Sequence, residues 1–217
     1  ELTLPETLSY VADTAFDGTS VILIHDPLPI VDFTFRIENG EVTVTGYSGD
    51  GSEPLVIPEK LKDYPVRYIA ANAFDGCTTL RQMPQLPSTL REIGDYAFRG
   101  CVNMTGEATL PEGLTKLGFG VFYNCTGLTG DVVIPDTVTD MGSYTFYGCS
   151  GLNGTVTLSA NAKELGGHFF AYCSGLSGTI TIPEHYTTLG IGAFAGCSGL
   201  TGAVLPSGTT AIPDSLF

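Results

Sequence analysis

Six cysteines stand at positions 77, 101, 125, 149, 173 and 197, one every 24 residues. Each closes the same phrase, as in Ala97-Phe98-Arg99-Gly100-Cys101 and Thr145-Phe146-Tyr147-Gly148-Cys149. Thiols can pair as disulfides, bind metal as thiolates or attack as nucleophiles, and each use makes a demand on spacing. A metal site wants local pairs such as C-x-x-C, and the chain has none. A constant period puts the cysteines at one position of successive coils, about 4.8 Å apart. Their Cβ vectors then run parallel, which holds the Cβ atoms farther apart than the roughly 3.8 Å a disulfide prefers. The spacing therefore predicts free, buried thiols that fill space and bond weakly to backbone.

Other reactive types are scattered. His25, His168 and His185 occupy different repeat positions and have no carboxylate or Cys partner at ligand spacing. No G-x-S-x-G and no phosphate-binding glycine loop occurs. Glycoside hydrolysis needs two opposed carboxylates, whereas these acids keep no fixed repeat position. The sequons at Asn103, Asn124 and Asn153 read as chance. The expectation is no enzyme, no cofactor and no metal.

Aligning on the cysteines gives one repeat sentence, C-x-x-L-x-G-x-V-x-I-P-x-x-x-x-x-L-G-x-x-x-F-x-x-C. It is read at Cys125, Leu128, Gly130, Val132, Ile134, Pro135, Met141, Gly142, Phe146 and Cys149, and departs once, at Ser159 in place of Pro. Thr155-Val156-Thr157-Leu158 and Thr179-Ile180-Thr181-Ile182 alternate polar and β-branched apolar residues, the pattern of a half-buried strand. The following proline ends it. Stretches such as Thr187-Thr188-Leu189-Gly190 predict a weaker strand or extended turn, and the A-F-x-G-C phrase a single helical turn. A unit this short must stack on its copies, so its strands pair in parallel along the axis. Some eight coils would make a rod roughly 35–40 Å long. Phe74, Phe98, Phe122, Phe146, Phe170 and Phe194 are expected to form a stacked core ladder.

The period is broken at the N-terminal side. Leu4-Pro5 to Ala15-Phe16-Asp17-Gly18 matches the second half of a unit, so residues 1–30 read as a partial upstream repeat and connection. Phe33-Thr34-Phe35-Arg36-Ile37 and Val42-Thr43-Val44-Thr45 flank an Asn39-Gly40 pair, a strong short hairpin signal. That hairpin and an opening unit lengthened by Lys62-Asp63-Tyr64-Pro65-Val66 form residues 31–72, and the regular array residues 73–217. The hairpin is expected to cap an otherwise unpaired solenoid end.

Of 217 residues, 23 are acidic and 9 are Lys or Arg, for a net charge of −14. Such a surface repels phosphate backbones and disfavours nucleic acid. No apolar run is long enough to span a membrane. Chemistry is thus directed to exposed repeat rows. Gln85, Thr109, Val133, Thr157 and Thr181 should form one outward row, and Met83, Glu107, Asp131, Thr155 and Thr179 its neighbour. Near the Phe turn lie Tyr96, Tyr123, Tyr144, Tyr147 and Tyr172, with Phe119 and His168 nearby. These tyrosines are the candidate ligand-binding strip, because Tyr offers a large contact area with a polar tip.

The sentence L-x-x-V-x-I-P … I-G-x-x-A-F-x-x-C, with the opening Gly46-Tyr47 … Ile57-Pro58 … Tyr64-Pro65-Val66 … Ile69, resembles the BspA-like, or Treponema-type, leucine-rich repeat. The resemblance covers residues 33–217 and the fragment before Phe16. It implies a right-handed leucine-rich-repeat-type solenoid on a secreted or surface-anchored bacterial protein, with a lipid anchor on a preceding segment as one route to the surface. It further implies adhesion to extracellular host or microbial proteins or glycans, without catalysis. A structural spacer within a larger surface protein is the alternative, and an enzyme the remote one.

Overall fold

The computed structural model describes residues 33–217, which form one compact unit. The upstream half-repeat and His25 lie outside the described residues. Strand β1 (Phe33–Glu38) pairs antiparallel with β2 (Glu41–Tyr47). The two-residue turn between them has φ of 52° at Asn39 and 77° at Gly40. Two successive positive φ values give the mirror-image turn whose twist suits a hairpin, and Asn-Gly adopts it at little cost.

The inserted residues of the opening unit make a second tight hairpin. Strand β3 (Lys60–Leu61) pairs antiparallel with β4 (Tyr64–Ile69) around Lys62 and Asp63, both at positive φ. β2 then pairs in parallel with β4, and β4 with β5 (Glu92–Ile93). The parallel ladder continues through Lys116–Leu117 and Asp140–Met141, so hairpin and array share one seven-stranded sheet. The hairpin is thus a physical continuation of the ladder.

The two repeat stretches differ in continuity of pairing rather than in strand length. The stretch ending in Leu-Gly joins the continuous sheet as two-residue strands as far as Asp140–Met141, after which Glu164–Leu165 and Thr188–Leu189 form a pair of their own. The Val-x-Ile-Pro stretch forms separate pairs, such as Val132–Val133 with Val156–Thr157 and the longer Gly178–Thr181 with Leu200–Val204. Two features favour the former. The hairpin supplies a template strand beside it, and its glycines let coils close up. A Cβ on Gly142 would meet the Gly118 carbonyl carbon at 2.4 Å.

The A-F-x-G-C phrase is not a helical turn. Backbone donors alternate through it: Ala97, Arg99 and Cys101 bond three residues back, to Gly94, Tyr96 and Phe98. Tyr96, Phe98 and Gly100 instead donate to Phe119, Val121 and Tyr123 of the next coil. A helix would turn every donor inward along its own axis. Here every second donor is spent on holding the next coil, so the segment is a run of β-turns.

Inside that run the phenylalanines form the expected column. Successive rings from Phe74 to Phe194 are stacked with centroids 4.7 to 5.7 Å apart, and Phe217 extends the stack at 5.9 Å from Phe194. The described array thus has seven Phe rungs, one fewer than the eight coils expected. The hairpin residue Tyr47, 5.9 Å from Phe74, supplies the ring at the N-terminal end of the column. The cysteines sit beside it, unpaired as expected and buried except Cys77. Cys101, Cys125, Cys149, Cys173 and Cys197 each donate through Sγ to the carbonyl of the Phe 27 residues earlier, at 2.9–3.0 Å. Where Ser159 replaces Pro, its buried Oγ accepts from the Asn161 and Ala162 amides and closes the turn that the proline ring fixes elsewhere.

Candidate functional site

The outer side of the same turn carries the candidate site. Two of its backbone positions adopt left-handed φ in coil after coil. At the first stand Tyr96 (φ 55°), Gly120, Tyr144 (φ 61°), His168 (φ 52°) and Gly192; at the second stand Gly100, Asn124, Gly148, Tyr172 (φ 61°) and Gly196. Glycine takes this conformation freely, whereas a residue with a Cβ is strained by about 1 kcal/mol or more. Tyr96, Tyr144, His168 and Tyr172 occupy seats where glycine would be the relaxed choice.

The glycines that remain make room for rings. A Cβ on Gly120 would lie 2.7 Å from the Tyr96 ring, and one on Gly192 would lie 2.5 Å from the His168 ring. An aromatic residue in one coil therefore folds over the bare backbone of the next. Beside Gly120 the adjacent Phe119 takes over the vacated place.

The rings join in two columns. The first runs Tyr96, Phe119, Tyr144, His168, with centroid separations of 5.2, 5.1 and 4.8 Å. The second runs Tyr123, Tyr147, Tyr172: Tyr123 and Tyr147 stack at 4.7 Å and Tyr172 meets Tyr147 edge-on at 5.2 Å. Tyr144 touches the second column at 5.5 Å from Tyr147. All five tyrosines singled out in the sequence are thus in one cluster, and Phe119 and His168 complete it. Tyr172 is 56% exposed and Phe119 36%, while Tyr96, Tyr123, Tyr144 and Tyr147 are half-buried.

At the N-terminal end the second column changes chemistry. Arg99 takes the repeat position of Tyr123, lies 4.8 Å over the Tyr96 ring, and forms a two-pronged ion pair with Asp75. Its hydrogen bonds to Asp75 hold the guanidinium still more firmly protonated. This end group was missed in the sequence, although the 24-residue register aligns Asp75, Arg99, Tyr123 and Tyr147. Burial, followed by the neighbouring Tyr123, pushes the Tyr147 phenol up, so it stays neutral at physiological pH.

The two strand rows do point outward. Every member is exposed except the half-buried Met83. Asp131 spends its carboxylate on the Thr155 amide and hydroxyl, which lowers its pKa, the amide bond being the larger cause. These rows have no ring cluster comparable to the turn. His185 lies away from the strip, against Tyr186. Among the described residues, no group of three or more His, Cys, Asp or Glu is arranged to hold a metal, and no helix is long and apolar enough to cross a membrane.

The chain matches the BspA type leucine rich repeat region in six copies, over residues 53–177 and 120–217. Among solved structures it is similar to a leucine-rich repeat protein of T. pallidum, with 29% identity and a TM-score of 0.63 over 80% of this chain and 90% of that one. A leucine-rich repeat protein from Bacteroides ovatus is 27% identical, with a TM-score of 0.57 over 81% of this chain and 52% of the other. A leucine rich cell surface protein from Faecalibacterium prausnitzii has the same fold, at 24% identity and a TM-score of 0.63, over 86% of this chain and 55% of that protein. The chain therefore spans about half the length of the last two. No curated protein matches it.

Proposed function

Because the chain belongs to the BspA-type leucine-rich repeat family, we propose that it is a non-enzymatic recognition module of a secreted or surface-anchored bacterial protein, binding an extracellular protein or glycan. In this reading residues 31–72 cap the array of residues 73–217, and the tyrosine strip is the contact surface. The observation that carries it is the set of aromatic residues in left-handed seats. Tyr96, Tyr144, His168 and Tyr172 hold conformations that glycine adopts without strain. Backbone strain of this kind concentrates at functional sites. A spacer would need neither the strain nor a ring cluster confined to neighbouring coils. The likeness to a named cell surface protein supports the location, and the acidic balance favours basic or neutral partners over polyanions.

The test compares wild-type protein with the Tyr123→Ser/Tyr147→Ser double variant for adherence to epithelial cells and to other bacteria. The variant is expected to lose most adherence while keeping its melting temperature within a few degrees. Undiminished adherence would remove the strip from the binding surface.

A further inference from the structure

Building on that reading, we infer that the strip accepts a proline-rich segment of a partner protein in the polyproline II conformation, lying along the solenoid axis. The first argument is period. The rungs advance by one coil, about 4.8 Å. Polyproline II rises about 3.1 Å per residue with three residues per turn, so one turn of about 9.3 Å matches two coils. Tyr96 and Tyr144 occupy the same repeat position two coils apart, with Phe119 between them. A peptide on this axis therefore presents the same face to each of these two tyrosines. From Tyr96 to His168 the strip covers three coil steps, about 14 Å, the length of about five such residues.

The second argument is which parts of the rings remain available. Tyr123 and Tyr147 are stacked within 7° of parallel, and Tyr144 is stacked on His168. Sugars recognised by tyrosine lie flat against ring faces, and in the Tyr123–Tyr147 and Tyr144–His168 pairs the facing sides are closed against each other, whereas Tyr172 and Tyr96 meet their neighbours edge-on. The stacked middle of the strip thus offers ring edges and hydroxyls more than open faces. The hydroxyls of Tyr96, Tyr144 and Tyr172 have no hydrogen-bond partner among the described residues. A polyproline II backbone has no internal hydrogen bonds, so its carbonyls seek outside donors. Apolar proline rings against ring edges, with phenols donating to carbonyls, satisfy both sides, and aromatic-lined surfaces are the general solution for such segments.

The third argument is charge. Asp95 is exposed beside Tyr96 and the whole chain carries −14, whereas Asp75 is neutralised by its pair with Arg99. Basic residues flanking the prolines would be drawn to this acidic chain.

The experiment titrates the full chain by calorimetry with a peptide of about ten prolines bearing lysine at each end. Its controls are a peptide of equal length with alternate prolines replaced by glycine, and a neutral β-linked glucan oligomer. Saturable binding to the proline peptide is expected. Tyr123→Ser/Tyr147→Ser should weaken it about tenfold or more, the scale of an interface hot spot. Tyr96→Phe/Tyr144→Phe keeps the rings and should weaken it less, and Val133→Ser on the strand row should leave it unchanged. The phenylalanine variant needs no refolding of the turn, so its result stands even where the serine variant melts early. Equal binding of the glycine-interrupted peptide, glucan binding in place of peptide binding, or peptide binding indifferent to both tyrosine variants would overturn the assignment. Serine variants that lose cell adherence, from a wild type that ignores the proline peptide, would refute the ligand class and leave the strip as the binding face. Serine variants that adhere normally would refute the binding face itself.

Discussion

An inner and an outer set of rings run through the same turn, and they obey different rules. The inner one has a phenylalanine in every coil from Phe74 to Phe217 and a centroid spacing that stays between 4.7 and 5.9 Å. The outer one occupies only the coils from Tyr96 to Tyr172, and it mixes Tyr, Phe and His. An interior seat between two fixed coils has one shape, so packing imposes the same residue each time. An exterior seat tolerates glycine, alanine or arginine, as Gly192, Ala195 and Arg99 show. Regularity inside is a requirement of the fold. A run of rings outside is a choice the fold did not force, and it was made at the expense of backbone strain.

The sharpest way to break this contrast is to truncate one ring of each kind. Phe146→Ala removes a fully buried side chain and should destabilise the domain by about 3–5 kcal/mol, because the flanking coils cannot collapse into the gap. A urea melt measures it, and a loss under about 1 kcal/mol would place the ring outside the core. Removing the neighbouring thiol tests the same interior on a smaller scale. Cys149→Ala loses one buried sulfur and its bond to the Phe122 carbonyl, and about 1–2 kcal/mol should follow in the same assay.

The thiols also sharpen the comparison by pH. Burial is the main cause that pushes Cys197 from 9.0 up to about 12, and it raises Cys125 and Cys149 well above the ordinary thiol value. The folded state thus holds these protons more tightly than the unfolded one. Their contribution to stability is complete below about pH 9 and declines as pH rises towards 12, since the unfolded thiols ionise first. Stability that fell between pH 7 and pH 8 would contradict this. In native protein at neutral pH, a thiol reagent should modify the partly exposed Cys77 and spare the five buried cysteines. The smallest effect is expected outside. Tyr144→Gly relieves the left-handed strain but gives up ring contacts, so its stability should stay within about 1 kcal/mol of wild type. Ligand binding, by contrast, should fall.

Much of this was legible in the chain. The period placed Phe146 and Cys149 inside, Thr157 and Thr181 outside, and Asn39-Gly40 in a hairpin, since each follows from residue type at a fixed register. The five tyrosines could be named as a strip, but which rings touch could not be read, because Tyr144 and Tyr147 contact Tyr123 only once coils are stacked. The helical turn was misjudged for a related reason. Its local sequence suits a turn of either kind, and the donors of Phe98 and Gly100 were claimed by the next coil.

The sequence by itself determined the repeat, the family, the buried ladders and the absence of cysteine pairing, because a constant interval repeats one environment. Only the tertiary structure decided which stretch builds the main sheet, that the hairpin extends it, and that rings from four coils meet in one strip. Those outcomes depend on contacts about 24 residues apart, and the backbone groups that make them have no preference until the neighbouring coil is in place.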